Sequence, residues 1–127
     1  MSSDPATDPP PLDPAAVRDL LDLLGGDRAA LGEVVAAFLE EAPLRVEELR
    51  SGLGAGDAEL IGRAAHTLKS NAATFGARAL EAQSRALEET ARGGDISASA
   101  PLVDAVAASW HEARPALAAL REDGTPP

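Results

Sequence analysis

The chain is expected to be all-α, an antiparallel up-down-up-down four-helix bundle with a short additional N-terminal helix. Three observations carry that expectation. First, 127 residues suffice for one domain and are too few for two ordinary ones. Second, hydrophobic residues make up 45% of the chain but aromatics only 2%. Leu, Val, Ile and Ala must therefore fill the core, as in closely packed helices, whereas a β-sandwich wants more aromatic and β-branched side chains. Third, apolar residues recur at helical spacing between Gly-rich turns, and no segment alternates with period two long enough to make a strand. Short turns place consecutive helices antiparallel.

The elements follow in order. Asp13 before Pro14 reads as an N-cap with proline at the first helical position, Val17, Leu20, Leu21 and Leu24 follow in helical phase, and Gly25-Gly26 stops them. Asp27 caps the second helix, whose stripe holds Leu31, Val34, Val35, Phe38, Leu39, Ala42, Val46, Leu49 and Leu53. The stripe passes Pro43 in phase, which predicts one long helix with a kink; a break is the competing reading, because proline in a helix interior costs about 3 kcal/mol. Asp57 caps a third helix that carries Leu60, Ile61, Ala64, Leu68, Ala72 and Phe75 and ends at Gly76. A fourth runs from Ala77 to Arg92 with Leu80, Ser84, Leu87 and Ala91 on one side, and Gly93-Gly94 ends it. The last is expected to begin near Ser99-Ala100-Pro101 and to carry Leu102, Val103, Val106, Trp110, Leu117 and Leu120, with Pro115 bending its final turns. The resulting organisation is a Pro-rich disordered tail over residues 1–11, the bundle over 12–121 and a second disordered tail over 122–127.

Composition also narrows the function. There is no Cys, which excludes disulfides, thiolate metal sites and cysteine nucleophiles together. A formal charge of −10 repels nucleic acid and anionic lipid, so neither is an expected partner. No stretch approaches the roughly 20 apolar residues of a membrane span. The start, MSSDPATDPPPLDP, has neither the basic nor the apolar region of a signal peptide. These features predict a cytoplasmic protein, and the lack of a large exposed apolar stripe predicts a monomer. Nothing resembles a nucleotide-binding loop.

On a helical wheel of about 100° per residue, the apolar residues of the third helix fill one sector of roughly 120°. His66 lies almost opposite its centre and is expected to face solvent. Gly62, Ser70 and Ala73 are small neighbours on that face, and Lys69 and Arg63 stand one turn to either side. Small neighbours let another protein's surface approach the ring, and the cations favour an anionic phosphoryl group beside it. Gly62, which costs up to about 1 kcal/mol in a helix interior, suggests a need for clearance. Geometry alone leaves open that His66 is an idle surface residue. His111 also falls on a polar face but lacks a collar of small residues and a basic pair, and it reads as solvated surface.

The run Ala65-His66-Thr67-Leu68-Lys69-Ser70-Asn71-Ala72-Ala73-Thr74-Phe75-Gly76-Ala77 resembles the signature of the histidine-containing phosphotransfer (HPt) family, in which His-x-Leu-Lys precedes a small residue and, later, Gly-Ala. Gly25-Gly26-Asp27 and Phe38-Leu39 upstream and Leu87-Glu88 downstream extend the similarity over about Leu12 to Leu120. Ser70 stands where glycine is most usual, and Asn71, where a small residue is common, needs a hydrogen-bond partner if buried.

The resemblance implies a carrier in a two-component phosphorelay rather than an independent enzyme. His66 takes a phosphoryl group from a receiver-domain phosphoaspartate and passes it to another receiver's aspartate. The partners are response-regulator receivers and a sensor histidine kinase of the hybrid kind. The chain binds no cofactor or metal of its own, the receiver supplying Mg²⁺. Lys69 neutralises phosphoryl oxygens, and Gly62, Arg63, Ser70 and Ala73 form the docking collar. Glu88 matches a position whose side chain accepts a hydrogen bond from the other ring nitrogen, which fixes the tautomer; the alternative is a plain surface carboxylate. A further alternative for the whole chain is an unphosphorylated adaptor that sequesters receivers.

Overall fold

Asp13, Asp27 and Asp57 start helices as their spacing predicts. In the computed structural model, which describes residues 10–123, their carboxylates accept hydrogen bonds from the amides of Ala15, Ala30 and Leu60 at 3.0, 3.1 and 3.1 Å. Each such cap is worth about 1 kcal/mol to its helix. The helices they begin are α1 (Pro14–Leu23), α2 (Arg28–Ala55) and α3 (Ala58–Phe75), followed by α4 (Arg78–Arg92) and α5 (Ile96–Asp123). No strand occurs among the described residues. The parts of the expected tails at 1–9 and 124–127 lie outside the described residues.

Helices α2 to α5 form the bundle. Glu41 meets Asn71, while Gly52 lies against Ile61, so α2 and α3 run antiparallel. Arg50 pairs with Asp104 near one end of the α2–α5 contact and Gly32 approaches Arg121 at the other, so these two are antiparallel as well. Gly62 faces Ala91 and Arg92 across the α3–α4 seam, with His66 facing Glu88 a turn further on. The short α1 lies across the end of this bundle against α2 and α3.

The predicted stripes supply the core. Leu31, Val35, Phe38, Ala42 and Leu49 of α2 are buried with Ile61, Leu68, Ala72 and Phe75 of α3, Leu80 and Leu87 of α4, and Val103, Val106, Trp110, Leu117 and Leu120 of α5. The chain has two Phe, one Trp and no Tyr, and all three rings meet. Phe38 stacks on Phe75 at 5.1 Å between centroids, and Trp110 sets its ring edgewise on Phe38 at 5.4 Å. Such pairs add about 0.5–1.5 kcal/mol beyond burial, and they lock the C-terminal end of α3 to both α2 and α5.

Two expectations about proline and helix ends change. Helix α2 runs unbroken through Pro43, as the unbroken stripe implied, but α5 also runs through Pro101 and Pro115 and starts at Ile96, three residues before Ser99. All three prolines are exposed. An exposed proline keeps its ring out of the core, and on the outer side of a helix the carbonyl that loses its amide partner is within reach of solvent. The start of α5 moves because Asp95 caps it: its carboxylate accepts from the Ala98 amide at 2.9 Å, and the buried Ser99 hydroxyl donates to its carbonyl at 2.8 Å. At the other end α5 reaches Asp123, beyond the expected boundary at residue 121.

Candidate functional site

Helix α3 is held at both ends so that its outer face is fixed. Asp57 caps its start, and Gly76, at φ +70°, ends it in the left-handed conformation. A side chain at Gly76 would collide with Asp13 and Ala16, whose atoms lie 2.7–2.9 Å from where its Cβ would stand. The Asp13 amide donates to the Gly76 carbonyl at 2.8 Å. The Gly-Ala of the motif is thus the place where α1 crosses the end of α3.

His66 points outward from the middle of α3, its side chain 54% exposed. Its Nδ1 lies 2.8 Å from Glu88 Oε2. The carboxylate reaches across the seam from α4, between the core residues Leu87 and Ala91, and its side chain is only 5% exposed. Three basic groups surround it: Lys69 donates to Oε1, Arg92 lies 2.7 Å from Oε2, and His66 lies on that same oxygen. Burial raises the Glu88 pKa, but the hydrogen bonds from Lys69 and His66 and the charges of Lys69 and Arg92 more than offset it, leaving the group below the usual carboxylate value. Glu88 is therefore ionised at neutral pH and can only accept. The ring nitrogen facing it, Nδ1, is therefore the donor in that contact, and Nε2 is directed away from Glu88.

The surroundings of the ring are low. Thr67 and Thr74 turn their hydroxyls back on their own helix, donating to the Arg63 and Ser70 carbonyls at 3.2 Å each. Ser70 is exposed and Ala73 half-buried. Two cations against one carboxylate leave the immediate site positive in a chain of net charge −10. Among the described residues no group of three or more His, Cys, Asp or Glu could hold a metal ion. The carboxylate that meets His66, Glu88, is already occupied by three partners.

A family model described as the Hpt domain matches residues 33–123, most of the chain. The chain belongs to the histidine-containing phosphotransfer family. An Hpt domain serves histidine phosphotransfer in two-component phosphorelays, working with receiver domains and kinases, and that is this protein's activity class. The fold agrees with that of histidine-containing phosphotransfer protein B (HptB) from Pseudomonas aeruginosa PAO1, at a TM-score of 0.81 and 23% identity over 91% of this chain and 97% of that one. No curated protein sequence matches the chain. No helix among the described residues is long and apolar enough to cross a membrane.

Within this Hpt domain, His66, Lys69 and Glu88 lie together, and two details differ from expectation. Glu88, read either as a partner of the ring or as a plain surface carboxylate, is buried and lies 2.8 Å from His66 Nδ1. Lys69 does not stand free in solvent; its side chain is 25% exposed and paired with Glu88. Gly62 is buried rather than open on the outer face, covered by Ala91 and the stem of Arg92. A Cβ there would lie 3.8 Å from Arg92 Cγ and 3.9 Å from Ala91 Cβ, so only a side chain longer than a methyl group would disturb the packing of α3 on α4. Arg63 is exposed and borders the grooves toward both α2 and α4. The cation that joins Lys69 at Glu88 is instead Arg92, which sequence reasoning missed although Glu88 and Arg92 stand four apart, the favourable spacing for an acid followed by a base. Asn71 finds the partner its position demanded in Glu41, at a long 3.5 Å. His111 is exposed, and no hydrogen bond or ion pair engages it among the described residues.

Proposed function

We propose that His66 is the phosphoryl-carrying residue, taking the group through Nε2 from a receiver phosphoaspartate and passing it to the aspartate of another receiver. The single observation that carries this reading is the bond between His66 Nδ1 and the buried Glu88. It leaves one nucleophilic nitrogen, aimed outward, on a rigid helix. The Nε2 lone pair attacks phosphorus, the N–P bond forms, and the P–O bond to the aspartyl carboxylate breaks with its electron pair leaving on that carboxylate. The ring becomes cationic in this step while keeping its Nδ1 proton, and the Glu88 carboxylate stabilises it there. Lys69, next to the ring, helps neutralise the phosphoryl oxygens. The donor set here does not suit a divalent cation, so Mg²⁺ comes with the receiver, where it neutralises phosphoryl charge. Most of what the bundle contributes is positioning. The chain works as a monomer, its exposed large hydrophobics among the described residues being Leu23 and Leu44.

Ser70, Ala73 and the folded-back Thr67 and Thr74 form a low surface on which a receiver can approach the ring. Arg63 stands at its edge. Gly62 lies beneath α4, outside this surface. The test is to mix the purified chain with a phosphorylated receiver and Mg²⁺ and look for acid-labile, base-stable label. Label is expected on the parent and not on His66→Gln. Label persisting in that variant, or no transfer from any cognate receiver, overturns the proposal.

A further inference from the structure

We infer that Arg92 is a positioning residue for phosphotransfer, holding the Glu88 carboxylate in the orientation that accepts from His66 Nδ1, and that Gly62 provides the bed in which the Arg92 stem lies. The inference rests on the reading of His66 as the carrier and concerns a residue outside the motif that carries the family resemblance.

Oxygen Oε2 of Glu88 serves both His66 Nδ1, at 2.8 Å, and an Arg92 terminal nitrogen, at 2.7 Å. Lys69 takes the other oxygen. The terminal torsion of a glutamate is soft and nearly two-fold. A carboxylate tied only through Oε1 could pivot about that contact and carry Oε2 away from the ring. Arg92, fixed to α4 one turn beyond Glu88, closes the second side and removes that freedom. The Arg92 guanidinium end is open to solvent, with a side chain 67% exposed, and an exposed ion pair of this spacing contributes little to stability. Its partner, however, is a carboxylate with 5% exposure whose charge must be met locally. The effect of Arg92 therefore falls on the geometry of Glu88 rather than on the fold.

Gly62 supplies the independent observation. A Cβ at this position would lie 3.8 Å from Arg92 Cγ and 3.9 Å from Ala91 Cβ, ordinary contact distances. A methyl group fits there, whereas a longer side chain takes the space of the Arg92 stem. The site can therefore be disturbed from either helix, by shortening Arg92 or by enlarging Gly62.

The experiment uses the full chain, ¹⁵N-labelled, as parent, Arg92→Ala, Arg92→Lys, Gly62→Ala and Gly62→Leu. Ring nitrogen shifts of unphosphorylated His66, read where the ring is neutral, report the tautomer. Transfer from a phosphorylated receiver with Mg²⁺ reports the rate. The parent is expected in the Nδ1–H form. Arg92→Ala and Gly62→Leu are expected to populate the Nε2–H form that a free imidazole side chain prefers, and to slow transfer about 2- to 10-fold, the worth of one hydrogen bond. Arg92→Lys and Gly62→Ala should keep the parent's tautomer and its rate within about twofold. A merely structural ion pair would not move the tautomer. An Arg92→Ala protein with the parent's tautomer, or with a shifted tautomer and the parent's rate, overturns the inference. Loss of transfer in every protein, parent included, would count against His66 as carrier, while the tautomer measurement still decides whether Arg92 orients Glu88.

Discussion

Helix α4 carries two ion-pair networks that differ chiefly in the burial of the groups they share. Near its start, Arg78 joins Asp13 and Glu81, and Arg85 adds a second contact to Glu81. Two turns on, Glu88 joins Lys69, Arg92 and His66. The first network is the more open of the two: Asp13 is 37% and Glu81 17% exposed, and both arginines are more than half exposed. The second is built on a carboxylate wedged between core residues. Both Asp13 and Glu88 titrate below the usual carboxylate value, but for different reasons. Asp13 is lowered first by its cap bond from the Ala15 amide and then by Arg78. Glu88 faces a burial penalty that the hydrogen bonds from Lys69 and His66 and the charges of Lys69 and Arg92 must overcome. An exposed network is screened and nearly neutral for stability. A buried carboxylate instead fixes the direction of whatever donates to it, and here one of those donors is the reacting ring.

The contrast sets an order of expected effects. Glu88→Ala should be the most damaging change within the two networks. It frees the His66 ring and leaves Lys69, three-quarters buried, without its partner, costing about 1–3 kcal/mol in urea unfolding together with a large drop in transfer rate. The milder Glu88→Gln exposes the pH dependence. Because the folded-state pKa of Glu88 is depressed, its ion pairs stabilise the fold above the ordinary carboxylate range, and that stability is lost as pH falls through the lowered value. Acid unfolding followed by circular dichroism should therefore lose this component in the Gln variant. An unchanged acid profile would place the acid sensitivity elsewhere.

Lys69→Ala comes next. A preorganised donor to developing phosphoryl charge is worth up to 10²–10³-fold, and Lys69 already spends part of its charge on Glu88, so a slowing of about 10- to 100-fold is expected with the helical signal intact. An unaltered rate in stopped transfer assays would remove Lys69 from the chemistry. Gly62→Ala should act in the opposite sense. The added methyl meets only ordinary contacts, and replacing a helix-interior glycine should raise stability by up to about 1 kcal/mol without slowing transfer. A slowed Ala variant would restore the idea that the position provides clearance for a partner. The smallest effect belongs to the exposed network: Arg78→Ala should leave both the thermal midpoint and the transfer rate within error.

The helices were legible where periodicity and caps are local. The stripe from Leu31 to Leu53 held its phase past Pro43, and α2 is one helix there. The outward direction of His66 likewise followed from the phase of six apolar neighbours within α3. The start of α5 was misplaced because Ser99 looks like a cap, yet it is buried and its hydroxyl is spent on Asp95, the residue that does the capping. What could not be read from local pattern is the register between helices. Glu88 is 22 residues from His66, and nothing local distinguishes a carboxylate that reaches across a seam from one that faces water. The same applies to Gly62, whose position at the flank of the wheel suits either an open face or a covered one until α4 is in place. Asn71 shows the intermediate case: its need for a partner was legible, and Glu41 as that partner was not.

The central claim is that Glu88 holds one nitrogen of His66 so that the other carries the phosphoryl group. The most direct measurement is ¹⁵N–³¹P coupling in the phosphorylated, ¹⁵N-labelled full chain. Phosphorus is expected on His66 Nε2, with Nδ1 still protonated and hydrogen-bonded to Glu88. Phosphorus on Nδ1, or on any residue other than His66, would contradict it.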